Sequence, residues 1–548
     1  MQFQRHHSAM SQSIELAMIL YHKLKSLSSK PIYWVLLSGC LLRLYSAIAR
    51  GIINRDGHHY IYQAQAIFSG RWSDLVSCEL KYISIYPFFI AAANALFHDW
   101  VVAGVFVNVI LGSATLLPLY YLLRKFADET VCAITILAYA LMPTFVNSSG
   151  DIVRGPVFWF FLSMGMLMFV RQWDENAAGR RYRYDLLFSC IFFVLATGTR
   201  IEGAAFIATS IFYLLIARTD RKFERILFFL SPIVCLVLAG LTFALIFQHD
   251  IARTLRTEKI INEITQFVFQ YKALDTDIKT LYMQQHGLLS EFLHRIRESL
   301  WLIPFGIILH NIIEAFFYPF ALIYFTGFIR IRQRIQSHRH AGYLLWLVLA
   351  GLCVLYVHLL HTGIMIHRFF AILILPSCIV MANGVETSID LIQRKYQLRF
   401  ATAAIVIVIF FSLIGLPKVL RPKEEDGIFY RQAAKLIENN KSDNQVEPIA
   451  SAAKSATYDY IFLYAHRKYP GPLCGTERMV TIPADADYDQ MVDLLDSRNV
   501  RYLLYEERYW PNMRIDLLAA ACQRDFHLLW EWQKSNNQKI MLLERINR

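Results

Sequence analysis

Asp56, His58 and His59 stand close together in Asn54-Arg55-Asp56-Gly57-His58-His59-Tyr60. A carboxylate beside two imidazoles can move a proton or ligate a metal. Asp56 can also simply cap the helix that follows, at a gain of about 0.5–2 kcal/mol. Other polar groups collect in short turns between apolar runs. Asp151 and Arg154 are spaced for a surface ion pair worth under about 1 kcal/mol. Glu202 can pair with Arg200 or Arg154, and His361, His367 and Arg368 flank a third turn, where interfacial anchoring is the plain alternative. Arg43 lies inside an apolar run, where it either snorkels outward or marks a functional cavity. There is no CxxC pair, so neither a zinc knuckle nor a redox motif is indicated.

The elements that must position these residues are mostly membrane spans. Of 548 residues, 56% are hydrophobic and only 18% charged, against about 45–50% and 25% in soluble chains. The excess falls in about eleven runs, near 31–49, 100–123, 130–148, 155–171, 185–198, 202–217, 226–247, 300–329, 342–360, 367–387 and 400–416. About 20 helical residues cross the roughly 30 Å hydrocarbon core of a bilayer. A purely soluble enzyme, a disordered chain and a secreted disulfide scaffold are excluded. The net charge of +12 does not point to nucleic acid, because the basic residues sit in short loops where they orient the chain.

Those loops alternate. Arg5, Lys23, Lys25 and Lys30 precede the first run, and Arg124 and Lys125, then Arg171 to Arg183, follow on the same side. Arg218 to Arg225, Arg330 to Arg339, and Arg394 to Arg399 complete the series. The expected topology has a cytoplasmic segment 1–30, a first run retained as a signal anchor, and a transmembrane module 31–416. Outer loops 50–99 and 248–299 and a tail 417–548 lie on the opposite face. From Tyr60 the first outer loop reads as an amphipathic helix stopped by Gly70. In the tail, strand-like Met479–Ile482, Tyr502–Tyr505 and Lys539–Leu543 alternate with a helical Tyr488–Ser497, which suggests a small α/β domain. Cys474 and Cys522 there either bridge, for about 2–4 kcal/mol in an oxidising compartment, or remain two buried thiols. No internal repeat is evident, which weighs against an inverted-repeat transporter.

Four segments resemble one family. An acidic residue after the first span leads into an aromatic-Ala helix ending in Gly (Asp56 to Gly70). Lys81-Tyr82-Ile83-Ser84-Ile85-Tyr86-Pro87 follows, without the first Pro that relatives often carry. Leu195-Ala196-Thr197-Gly198-Thr199-Arg200-Ile201-Glu202-Gly203 has Ile201 where relatives have Pro, and His367-Arg368-Phe369 comes with Pro376. In order, spacing and common side these resemble the GT-C membrane glycosyltransferases, nearest the dolichyl-phosphate-mannose protein mannosyltransferase and aminoarabinose-transferase-like group.

The resemblance implies a polytopic helical GT-C module with a C-terminal extracytoplasmic α/β domain. It implies transfer of a sugar from a polyprenyl-phosphate carrier, with inversion, to a lipid, glycan or protein hydroxyl. Asp56 would be the general base, with Asp151 as a second acidic group near the reaction centre. Arg200, Arg368 and Lys81 would hold the donor phosphate, and His58, His59, Tyr86, Arg154, Glu202, His361 and His367 would line the substrates. A lipid monophosphate leaves no diphosphate to chelate, so no cofactor is required and a divalent metal is not expected. The expected partners are the lipid-linked donor, the acceptor and membrane lipids, with no nucleic acid. The expected location is a bacterial inner membrane with the active face toward the periplasm. The competing class is a transporter or flippase of a lipid-linked sugar, but that would need polar residues deep in several spans, and here they cluster at one face.

Overall fold

In the computed structural model, the described residues are 30–50, 53–54, 56–73, 75, 84–173, 181–217, 219, 221–247, 257–338, 340–421, 426–440, 446–452, 456–467, 469, 473, 479–483, 485–507, 510, 515, 517, 525–533 and 538–546. Lys81, Cys474 and Cys522 lie outside them. The chain divides into two compact units, one of residues 1–43, 111–146 and 155–419, the other of 44–110, 147–154 and 420–548.

The first unit is helical. Among the described residues five helices are long and apolar enough to cross a membrane, or up to eight if each bent pair is one span. Three expected runs form helices that are shorter or more polar: Gly155–Arg171, Arg181–Thr199 and Ile201–Ile216. The bends have local causes. Glu129–Leu141 turns by 58° into Pro143–Ser149, where Pro143 opens the second helix, and His367–Ile374 turns by 81° into Cys378–Tyr396 across Pro376. The run expected as one span over 300–329 is broken. Ile303–Ala315 ends at Phe316, Phe317 takes φ 63°, and Pro319 starts a new helix, Pro319–Thr326. That helix meets Cys378–Tyr396 closely. A Cβ at Gly327 would strike the Val380 carbonyl oxygen, and one at Gly384 that of Ile323, so both positions require glycine.

The loops read as one side of the membrane converge within this unit. Arg334 donates to Asn383 Oδ1 (2.8 Å) and to the Phe126 carbonyl (2.6 Å) and pairs with Glu386, while Arg330 pairs with Asp390 at 2.5 Å. Arg225 donates to Gln172 Oε1 (2.9 Å) and lies over Trp173, which stacks on His340. Elsewhere in this unit helix ends meet one another. Thr144 donates to the Ala315 carbonyl, and His367 Nε2 lies 2.8 Å from Glu314 Oε2. Arg43 does not snorkel. It is 1% exposed and donates to the Gly39 carbonyl of its own helix, Pro31–Ile48.

The second unit holds a five-stranded sheet: β1 Ile449–Ser451, β2 Met479–Thr481, β3 Tyr502–Glu506, β4 Phe526–Gln533 and β5 Lys539–Arg545, in order β2-β1-β3-β5-β4. β1 is parallel to β2 and β3, and β5 is antiparallel to β3 and β4. Helix Tyr488–Ser497 opens with a capping box, Asp487 accepting from Gln490 N and Gln490 reaching back to the Asp487 N–H. Its apolar face, Met491 and Leu495, packs with Val480, Leu503 and Leu543.

The first-loop helix runs from Gly57 to Phe68, with Gly70 at φ 67° beyond it. It is not the one-sided amphipathic helix the periodicity suggests. Tyr60 to Ala66 are all buried, because its polar side is also covered: Gln63 donates to the Leu75 carbonyl, and Gln65 accepts from Leu473 N–H.

Candidate active site

Asp56 stands at the N-cap of Gly57–Phe68, half-buried, and its side chain makes no capping hydrogen bond. The Gly57 N–H is instead capped by Asn54 Oδ1 at 2.9 Å. The plain role of Asp56 as a helix cap is therefore taken by its neighbour two residues earlier.

Asp151 holds this loop in place. Its Oδ1 accepts from Asn54 N–H (2.8 Å) and Ile152 N–H (2.9 Å), and its Oδ2 pairs with Arg50. Arg50 also donates to the Asn147 carbonyl. The partner that the structure gives Asp151 is Arg50, while Arg154 lies over the Tyr60 ring at 5.8 Å. Asn108 donates to the carbonyls of Asp151 and Val153, and Gly104 admits Ile152. Buried and bonded through both oxygens, Asp151 is suited to fixing the Asp56 loop more than to moving a proton.

His58 and Tyr86 have no exposed surface. His58 packs against His59 (3.8 Å) and Tyr62, and Tyr86 meets Tyr60 edge-on at 5.1 Å, with Pro87 opening its helix Tyr86–Phe97.

In the first unit Arg200, Glu202 and Arg368 come together. They line one crevice with Phe158, Val354, Leu355, His358, Phe369 and Ile372. Arg200 closes helix Arg181–Thr199 and pairs with Glu202 on the following turn at 2.5 Å. Its guanidinium lies over Phe369 at 4.4 Å and faces Phe158 at 5.8 Å, so an ion pair and two aromatic faces fix it. Arg368 sits on the turn His367–Phe370. Two guanidinium groups, with the Glu202 carboxylate on Arg200, therefore face one crevice, and guanidinium groups suit anions.

His361 and His367 do not line this crevice. His361 meets Gln266 at 3.3 Å. His367 pairs with Glu314, whose other oxygen accepts from the Tyr318 hydroxyl at 2.8 Å. Sequence reading missed His358, which lies inside an apolar run and shows no local signal beyond its type. It also missed Glu314, Asn54 and Asn108, whose partners are distant or unremarkable in sequence. Among the described residues no group of three or more His, Cys, Asp or Glu is placed to hold a metal ion.

Residues 84–260 match the family described as dolichyl-phosphate-mannose-protein mannosyltransferase. No curated protein matches the chain. Among solved structures, ArnT from Cupriavidus metallidurans bound to undecaprenyl phosphate aligns with TM-score 0.56 at 12% identity, over 93% of this chain and 98% of that one. The Archaeoglobus fulgidus oligosaccharyltransferase in complex with Zn and sulfate aligns with TM-score 0.52 at 13% identity, over 92% of this chain and 72% of that one. At such identities the likeness is one of fold, and the fold is GT-C, a multi-pass helical membrane architecture with a small C-terminal sheet domain. The stretch matching the mannosyltransferase family carries Tyr86, Asp151, Arg154, Arg200 and Glu202.

Proposed function

We propose that this glycosyltransferase takes a sugar from a polyprenyl-phosphate carrier and transfers it, with inversion, to a hydroxyl of a lipid, glycan or protein. Asp56 accepts the hydroxyl proton as the nucleophile attacks the anomeric carbon. Arg200 and Arg368 stabilise the negative charge that gathers on the departing carrier phosphate. The observation that carries this reading is the meeting of Arg200 and Arg368 in one crevice. The shared fold with an undecaprenyl-phosphate-bound transferase is consistent with it. Lys81 is proposed as a third cation for the phosphate, with Asp151 as the group that sets the Asp56 loop. His58, His59, Tyr86, Arg154 and Glu202 shape the surroundings.

Purified protein in nanodiscs, given a panel of labelled polyprenyl-phosphate sugars with candidate acceptors, should release free carrier phosphate with one of them. Movement of intact lipid-linked sugar without release would overturn the reading in favour of transport.

We further propose that the reaction takes place on the periplasmic face of a bacterial inner membrane, with the N-terminus in the cytoplasm. A reporter enzyme active only in the periplasm should work when fused after residue 548 and fail after residue 125. The reverse pattern would place the tail in the cytoplasm.

A further inference from the structure

The C-terminal sheet domain grips the loop that carries Asp56, and one ion pair lies at the centre of the grip. Helix Ala456–Ala465 packs on the first-loop helix Gly57–Phe68. Just beyond it, half-buried Arg467 pairs with Asp99, and Leu473 N–H reaches the buried Gln65 Oε1 at 3.5 Å. Tyr464 has the backbone of Ile53 within hydrogen-bonding reach of its oxygen; burial pushes its phenol up to about 12.

Asp99 does two jobs with two oxygens. Its Oδ1 accepts from the N–H groups of Val101 and Val102 and so caps helix Trp100–Ala114, while its Oδ2 meets Arg467. Further along that helix, Asn108 carries the carbonyls of Asp151 and Val153, and Asp151 in turn holds Asn54 N–H and Arg50. The bonds form a continuous chain from Arg467 through Asp99, the capped helix, Asn108 and Asp151 to the backbone two residues before Asp56.

We infer that Arg467 and Asp99 are positioning residues for the Asp56 loop, so that the C-terminal domain is part of the catalytic apparatus and not an appendage. The inference rests on the role proposed for Asp56. Without the ion pair, helix Trp100–Ala114 keeps its cap but loses its tie to the sheet domain, and the Asp151 turn gains freedom to shift. A displacement of about 1 Å in a catalytic group can cost up to about 100-fold in rate.

The experiment uses full-length protein in nanodiscs. Arg467→Gln and Asp99→Asn remove the ion pair, and Asp99→Asn preserves the cap because Asn caps as well as Asp. Each is expected to lower kcat about ten- to 100-fold, to leave the affinity for undecaprenyl phosphate unchanged, and to speed amide exchange over residues 53–60. Arg467→Lys should restore most of kcat, and the double variant should be no slower than either single one. Unchanged kcat and exchange in both single variants would overturn the inference, as would rate losses that multiply in the double variant. A fault in the underlying reading would look different: Asp56→Asn itself would then turn over normally.

Discussion

Asp56→Asn is expected to lower kcat by about 10²–10⁴-fold, the contribution of general-base catalysis, or about 3–5 kcal/mol in the barrier. The affinity for undecaprenyl phosphate should not change, because the base acts on the acceptor and not on the phosphate. The start of the helix should tolerate this substitution. The capping bond to Gly57 N–H comes from Asn54, and the Asp56 carboxylate makes none, so the helix start does not depend on the charge at position 56. Asn54→Ala is the control: it removes the cap and should cost about 1 kcal/mol of stability. Turnover in Asp56→Asn within a few-fold of the parent, on folded protein with a confirmed donor, would refute the role. Asp151 and Glu202 would then be the next candidates, and they can be told apart. Asp151→Asn leaves Arg50 without its buried partner, so any loss of rate there should come with a loss of stability of about 3–5 kcal/mol.

What the sequence could and could not reveal follows from the range of the interactions. Hydropathy is local, so most of the apolar runs, the presence of the outer helix with Gly70 beyond it, and Tyr488–Ser497 could be read from neighbouring residues. β2, β3 and β5 were legible for the same reason. β1 is only three residues long and follows Pro448, while β4 carries an irregularity between Leu528 and Trp530 that spoils its alternation. The break at Phe317 was hidden because its neighbours are apolar on both sides and hydropathy is blind to φ. Partner choice was the least legible property. Asp151 lies three residues from Arg154 but pairs with Arg50, about 100 residues away in the chain, because tertiary packing and not spacing decides which guanidinium arrives. Glu202, which pairs with Arg200 within one turn, shows the opposite case. His358 enters the crevice only because helix Ala341–Thr362 passes beside the Arg200 turn, which nothing local could announce.

Arg200 faces the crevice already paired with Glu202, and mutation should expose that pairing. Arg368→Ala removes one charge-assisted contact to phosphate, worth about 1.5–3 kcal/mol. It should weaken binding of undecaprenyl phosphate by about 10- to 150-fold and also slow turnover, since phosphate charge is present in both the ground and the transition state. Arg200→Ala removes a contact and also leaves the Glu202 carboxylate facing the crevice without its partner at 2.5 Å. An uncompensated anion beside a phosphate is repulsive and poorly solvated, so Arg200→Ala should bind undecaprenyl phosphate more weakly than the parent. Adding Glu202→Gln to Arg200→Ala should recover part of that loss, because it removes the repulsion without restoring the contact. Glu202→Gln together with Arg368→Ala should recover less, since Arg200 would lose the carboxylate that holds it over Phe369. Titration of the four variants and the parent with undecaprenyl phosphate decides the matter. If Arg200→Ala binds as tightly as the parent, or if Glu202→Gln gives no rescue in its background, the phosphate does not occupy this crevice.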